Sequence, residues 1–100
     1  MTRRDLTRVL IAYDIPDDRR RAQLAKCLQR HGDRVQFSVF IVDASPSRIL
    51  RLRHEVASMI VMSEDSVLFC DLGLTRDSDS SRFAFVGRSR TTAGGTSRII

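Results

Sequence analysis

The chain has 100 residues, of which 42% are hydrophobic, so it can form one two-layer domain but is too short for two separate cores. Its formal net charge is +5, and all but one of its 17 basic residues are arginine, which suits a polyanionic partner, although a GC-rich genome produces the same bias. No apolar run approaches the roughly 18 residues of a membrane helix and no signal-peptide core is visible, so we expect a soluble, cytoplasmic protein.

The first predicted elements are a central strand and an amphipathic helix. Residues 8 to 13, RVLIAY, form an apolar, β-branched run typical of a strand buried in a sheet, and Asp14 follows its end. Pro16 suits the first turn of a helix, the two aspartates after it suit the positive end of the helix dipole, and Gly32 suits the stop. We therefore predict a helix from Pro16 to about His31.

The rest of the chain predicts an α+β sandwich. The expected elements are an extended segment at 34 to 44, a Ser-Pro-initiated helix at 46 to 61, a strand at 65 to 72, a loop at 75 to 81 and a strand at 82 to 87. This order fits a ferredoxin-like fold, with two helices on one face of an antiparallel sheet. The hairpin it requires must come from residues 34 to 44, as two short strands or as one strand bent near Ser38. The domain is expected to cover residues 1 to 87, with 88 to 100 as a tail that a partner protomer can order.

The cysteines and histidines do not predict a zinc site. Cys27 and Cys70 have no metal-ligand spacing and fall in a predicted helix and a predicted strand, which favours buried free thiols over a disulfide. His31 and His54 have no third ligand at a fitting spacing. Glu55 is expected to pair with the arginine four residues before it on the same helix.

Asp14 is the strongest candidate for chemistry. A carboxylate at the end of a buried strand can supply half of a Mg²⁺ site, because Mg²⁺ binds through one or two carboxylates together with water and phosphate oxygens. The alternative, which the residue type favours when taken alone, is that Asp14 caps the following helix.

Arginines are expected around this carboxylate, where they would bind the phosphates of a nucleic acid. The candidates are Arg19, Arg20 and Arg21 on the first helical turns and Arg34 at the start of the extended segment. A solvated helix face explains the same charge pattern equally well. Other enzyme classes are set aside, because no nucleophile with a partnering base and no glycine-rich phosphate loop is present.

The order of motifs along the chain is distinctive. The sequence from Val9 to Phe40, VLIAYDIPDDRRRAQLAKCLQRHGDRVQFSVF, contains YDI, then a polar, Arg-rich helix, then RVQ-x-SVF. A Ser-Pro-initiated helix and EDSVLFCDLG follow. Together, from about Val9 to Gly87, they resemble the CRISPR-associated protein two family, small endoribonucleases that partner a spacer integrase.

The resemblance implies a ferredoxin-like fold, a homodimer and a divalent cation such as Mg²⁺ held between the Asp14 side chains of two protomers. The further positions to which it assigns catalytic or nucleic-acid-contacting roles are Arg21, Arg34, Ser38 and Phe40. Gln23 departs from the family pattern, in which arginine is often found there, and this weakens the expectation of cleavage more than that of binding.

Two functions follow from the resemblance. The first is a metal-dependent endonuclease of CRISPR adaptation in antiviral defence, acting on single-stranded RNA or on DNA. The second is a non-catalytic homodimeric adaptor that bridges integrase dimers and holds duplex DNA. A toxin-like RNase of the same fold is a third, less favoured interpretation.

The resemblance also implies a role for the C-terminal strand and tail, which in the family commonly reach a partner protomer or the integrase.

Overall fold

The computed structural model of the protein describes residues 5–77 and 82–88. Its elements are β1 (Thr7–Asp14), α1 (Asp18–Gln29), β2 (Asp33–Gln36), β3 (Val39–Ala44), α2 (Pro46–Met59), β4 (Ser66–Leu74) and a 3-10 turn at Thr75–Asp77. The four strands form one sheet in the order β2-β3-β1-β4, in which every neighbouring pair is antiparallel. This topology confirms the predicted ferredoxin-like sandwich, and residues 34 to 44 supply its hairpin as two short strands.

The two faces of the sheet differ because side chains alternate along a strand. Val9, Ile11 and Tyr13 of β1 are buried and belong to the core that the helices cover. Leu10 and Ala12 therefore point to the opposite face, where no described helix packs. Asp14 follows in the same alternation and lies at the end of this uncovered face.

The core lies between the sheet and the two helices. Its fully buried side chains come from both helices and both central strands, and they include Ile11, Leu24, Leu28, Phe40 and Leu52. Each helix has one apolar face, and both faces pack against the same side of the sheet, which produces one core. Within the described part of the chain, no helix has the length and apolar character that crossing a membrane requires.

Both helices begin at capping side chains. Asp17 accepts a hydrogen bond from the backbone N–H of Arg20 at 2.8 Å, so α1 begins at Asp18, two residues later than predicted from Pro16. Ser45 accepts from the N–H of Arg48 at 3.3 Å, with proline at the first helical position as predicted. Asp14 is therefore not the residue that caps α1.

Gly32 permits a close approach between the end of α1 and the sheet. The N–H groups of His31 and Gly32 both donate to the carbonyl of Leu28, at 2.9 and 3.0 Å, which closes the last turn. A Cβ atom at position 32 would lie 2.2 Å from the carbonyl oxygen of Ile41 on β3. Only glycine lets the chain pass at this distance and turn into β2.

Two predictions for the second half of the chain are wrong. Residues 82 to 87 form no strand, because alternation in the sequence produces a strand only where a partner supplies the ladder, and no described strand pairs with this segment. Cys27 is buried as predicted, but Cys70 is exposed. It lies opposite Leu10 on the uncovered face. Most of the predicted tail, residues 89 to 100, lies outside the described residues, and the domain boundary stays a prediction.

Candidate functional site

Asp14 presents an exposed carboxylate at the end of the central strand. Its backbone pairs with Ser66 of β4, and its side chain makes no hydrogen bond or ion pair with any residue that the structure describes. Since Asp17 fills the capping role, the Asp14 carboxylate is available to a ligand from outside the chain. This placement is compatible with the metal-binding role predicted for it.

Arg21 fixes the turn that follows Asp14. Its Nη1 donates to the carbonyl of Ile15 at 2.8 Å and to that of Pro16 at 3.4 Å, and its Nη2 pairs with the carboxylate of Asp18. The guanidinium thereby satisfies backbone carbonyls that precede the helix. Arg21 is placed to hold this turn, and its remaining surface faces the cleft described below.

Arg20 forms an ion pair within the fold. Its Nε and Nη2 donate to the two carboxylate oxygens of Asp65 at 2.8 and 3.0 Å, and Nη2 also reaches Glu64 at 3.3 Å. The Asp65 side chain is fully buried and also accepts from the backbone N–H of Val61 at 2.8 Å. The hydrogen bond from Arg20 holds the pKa of Asp65 below its usual value against the opposing effect of desolvation. This bidentate pair speaks against the phosphate-binding role predicted for Arg20.

A basic cleft of about 510 Å³ opens between α1 and the β2–β3 hairpin. The side chains that define it here are Tyr13, Arg19, Arg21, Lys26, Arg34 and Phe37. We call this group of residues the basic cleft. Its cations Arg19, Lys26 and Arg34 form no ion pair with a described residue. Together with the rings of Tyr13 and Phe37 they suit a nucleic-acid strand.

Arg34 is held in the basic cleft by two aromatic rings. Its guanidinium carbon lies 5.2 Å from the ring centroid of Phe40 and 5.6 Å from that of Phe37. Arg34 and Phe40 are register partners on β2 and β3, which places both side chains on the same face of the sheet. Its Nε is buried without a hydrogen-bond partner among the described residues. The two rings therefore orient a donor-rich group that the fold itself does not satisfy.

Phe40 and Ser38 contact residues that line the cleft. Phe40 has no exposed surface and stacks on Tyr13, with 6.3 Å between ring centroids. The carbonyl of Ser38 accepts from the backbone N–H of Tyr13 at 3.1 Å, and the Tyr13 hydroxyl donates to the carbonyl of Phe37 at 3.3 Å. The predicted contribution of Phe40 can therefore only be indirect within this chain, through Tyr13 and Arg34.

The single chain separates the predicted site residues into two groups. Arg19, Arg21 and Arg34 meet in the basic cleft, which Asp14 does not line. Tyr13 and Asp65 were not predicted to contribute. The sequence indicates only that Tyr13 belongs to a buried strand, and no sequence signal identifies Asp65 as the partner of Arg20.

A second cluster of polar side chains forms between the two helices. One ligating atom each of Cys27, His31 and Glu55 lies within 4.8 Å of the other two. Sequence spacing did not indicate this cluster, because Glu55 comes from α2 and its approach to α1 depends on how the helices pack. Glu55 pairs with Arg30 at 3.0 Å, and not with the arginine that precedes it by four residues.

Comparison with known proteins gives consistent matches. A family model described as CRISPR associated protein Cas2 matches residues 7–80. The curated "CRISPR-associated endoribonuclease Cas2 4" of Rhodospirillum rubrum is 44% identical over 62 residues, which are 62% of this chain and 50% of that protein. "CRISPR-associated endoribonuclease Cas2 3" of Synechocystis sp. is 44% identical over 63 residues, 63% of this chain and 68% of that protein. The match thus spans only half the length of the Rhodospirillum protein.

Two solved structures share the fold. A hypothetical protein, TT1823, from Thermus thermophilus has a TM-score of 0.73 at 26% identity and covers 87% of this chain and 98% of its own. The crystal structure of Streptococcus pyogenes Cas2 at pH 6.5 has a TM-score of 0.72 at 28% identity and covers 80% and 99%. The likeness therefore extends over nearly all of both solved chains.

Proposed function

Because the chain belongs to the CRISPR-associated protein Cas2 family, we propose that it is a metal-dependent endonuclease that hydrolyses phosphodiester bonds of single-stranded RNA or of DNA in CRISPR antiviral defence. The observation that carries this proposal is the exposed Asp14 carboxylate at the end of β1, which no described residue pairs with. The naming of the curated relatives as endoribonucleases supports it.

A divalent ion such as Mg²⁺ fits Asp14 as one of its ligands, but one carboxylate makes an incomplete site. We propose that the second carboxylate is the Asp14 of another copy of the chain. The apolar surface beside Asp14 supports this association, because Leu10 and Ala12 share the uncovered face with Leu68 and Cys70 of β4. A bound ion would supply charge stabilisation and a more acidic water at the phosphodiester.

The residues of the basic cleft bind and orient the substrate in this proposal. Arg34 offers the planar donor fork that matches two phosphate oxygens, and the two phenylalanine rings limit its rotation. Phe37 is 61% exposed beside it and can stack on an unpaired base. Arg21 acts indirectly, because its hydrogen bonds to the carbonyls of Ile15 and Pro16 hold the turn next to Asp14. A stacking surface favours a single strand over a duplex.

A non-catalytic adaptor that bridges integrase dimers and holds duplex DNA is the alternative. One observation favours it: Asp14 does not line the basic cleft. The adaptor needs the fold, the dimer and the cations, whereas the nuclease additionally needs two Asp14 side chains close enough to share an ion.

The test is a cleavage assay with labelled single-stranded RNA and double-stranded DNA in the presence of Mg²⁺. Wild type is compared with Asp14→Asn and with Asp33→Asn, an acid on β2 that serves as the matched control. Cleavage by wild type and Asp33→Asn, with none by Asp14→Asn, supports the nuclease. Equal cleavage by all three chains contradicts the nuclease. If none of them cleaves, the result favours the adaptor.

A further inference from the structure

We propose that Cys27, His31 and Glu55 form a binding site for a transition-metal ion of the zinc class, which bridges α1 and α2. The site uses none of the residues of the proposed nuclease. Cys27 lies nine residues beyond Asp18, the first residue of α1, which is about 13 Å along the helix axis from the Asp14 end. The two proposals therefore stand or fall separately.

Secondary structure brings the three ligands together. Cys27 and His31 are four residues apart, so they share one side of α1 and of the turn that ends it. His31 is held in that turn by the hydrogen bond from its N–H to the carbonyl of Leu28. Glu55 reaches the same place from α2, which packs against α1 over the core.

The distances are close to those of a metal site. The imidazole Nε2 of His31 and the Oε1 of Glu55 are 3.8 Å apart, and all three ligating atoms lie within 4.8 Å of one another. Bond lengths of about 2.0 to 2.3 Å in a tetrahedral zinc site separate its ligands by roughly 3.3 to 3.6 Å. Small side-chain rotations close this gap, and water can occupy the fourth position.

The donor set selects the metal. One sulfur, one nitrogen and one carboxylate oxygen suit Zn²⁺ or Co²⁺, whereas Mg²⁺ requires oxygen ligands in an octahedron. Burial, followed by the charge of Arg48, lowers the pKa of His31, so the ring is neutral near pH 7 and keeps a lone pair for a metal. Burial, followed by Glu55, raises the pKa of Cys27 to about 11. Binding therefore breaks the thiol S–H bond and releases its proton to solvent as the sulfur–metal bond forms.

Two arginines compete with the ion. Arg30 donates to the Oε2 of Glu55 at 3.0 Å, and the Nη2 of Arg48 lies 3.5 Å from the Nδ1 of His31. Both side chains are exposed and can turn away to water when a divalent cation enters. Since each adds repulsion to the ion, Arg30→Gln is expected to tighten binding.

Binding would cross-link the two helices, and the fold would gain stability by mass action. A free Zn²⁺ concentration about 100 times the dissociation constant is expected to raise the melting temperature by about 10 to 20 °C for a domain of this size. Removing any one ligand should abolish most of this shift.

The direct test is a titration of the purified full chain with Co²⁺, which gives a near-ultraviolet charge-transfer band only when a thiolate is bound. We expect one Co²⁺ per chain, the thiolate band, and displacement by Zn²⁺. Cys27→Ser should lose the band, and His31→Gln and Glu55→Gln should weaken binding at least tenfold. The matched controls are Cys70→Ser and His54→Gln, a cysteine and a histidine outside the cluster, and both should bind like wild type.

The outcomes distinguish this site from its alternatives. Absence of a thiolate band in the folded wild type, or a band lost in Cys70→Ser and kept in Cys27→Ser, overturns the proposal. If Cys27→Ser does not fold, His31→Gln decides, because its side chain is outside the core and the circular dichroism of the variant reports its folding. Asp14→Asn should keep the Co²⁺ band in full, whatever the cleavage assay shows.

Discussion

Replacing Arg34 tests whether the basic cleft binds nucleic acid. The Phe40 and Phe37 rings hold its guanidinium at 5.2 and 5.6 Å, so little entropy is lost when it donates hydrogen bonds to a phosphate. A charge-assisted, bidentate contact contributes about 1.5 to 3 kcal/mol, and Arg34→Ala should therefore weaken binding by roughly 10- to 150-fold. Arg34→Lys keeps the charge and loses the planar fork, so we expect a loss of about 5- to 10-fold.

The assay is fluorescence anisotropy with a labelled single-stranded RNA from about 50 to 200 mM salt. Arg34→Ala should reduce the slope of log affinity against log salt by about 0.7, because one phosphate contact is lost, whereas Arg34→Lys should leave the slope unchanged. Arg51→Ala is the control, since Arg51 is exposed on α2 away from the cleft. Wild-type affinity and slope in Arg34→Ala, or an equal loss in Arg51→Ala, would show that Arg34 does not bind a phosphate in the basic cleft.

Two further predictions concern the framework of the site. Gly32→Ala places a Cβ 2.2 Å from the Ile41 carbonyl and should cost about 2 to 3 kcal/mol, which lowers the melting temperature by roughly 10 to 20 °C. Gly73→Ala meets no atom within 4 Å and adds only the strain of its φ of +91°, about 1 to 2 kcal/mol, so an equal or larger loss there would contradict the steric argument. Asp65 has a lowered pKa in the fold, so its contribution is present above its unfolded pKa and is lost as pH falls through the folded value. Thermal melts below about pH 4 should show this loss in wild type and a smaller loss in Arg20→Gln, which keeps only the Val61 hydrogen bond. Identical acid profiles of the two chains would contradict a role for Arg20 in lowering the pKa of Asp65.

The sequence predicts the fold because each element carries its own local signal. The apolar run of β1, the Ser45-Pro46 start of α2 and the glycine after α1 are local, and each produces the expected element. The split of residues 34 to 44 is less determined, because a two-residue turn at Phe37 and Ser38 leaves no glycine or proline as a marker.

The site is only partly predictable, because its contacts depend on tertiary register. Asp14 and Arg34 are found from strand ends and from the family resemblance. The commitment of Arg20 to Asp65 joins residues 45 positions apart, and no spacing rule reveals it. Glu55 completes the Cys27–His31 pair only through the packing of α2 on α1. Residues 82 to 87 have the alternation of a strand but no strand partner in the described chain.

If two Asp14 carboxylates share one divalent ion, the number of bound Mn²⁺ ions per chain, counted by electron paramagnetic resonance, should show it. Mn²⁺ replaces Mg²⁺ here because both prefer oxygen ligands. Wild type and Asp14→Asn are measured at the same chain concentration. We expect wild type to bind additional Mn²⁺, and the excess over Asp14→Asn should be one ion for every two chains. Equal binding by the two chains, or a difference of one ion per chain, would contradict a shared Asp14 site.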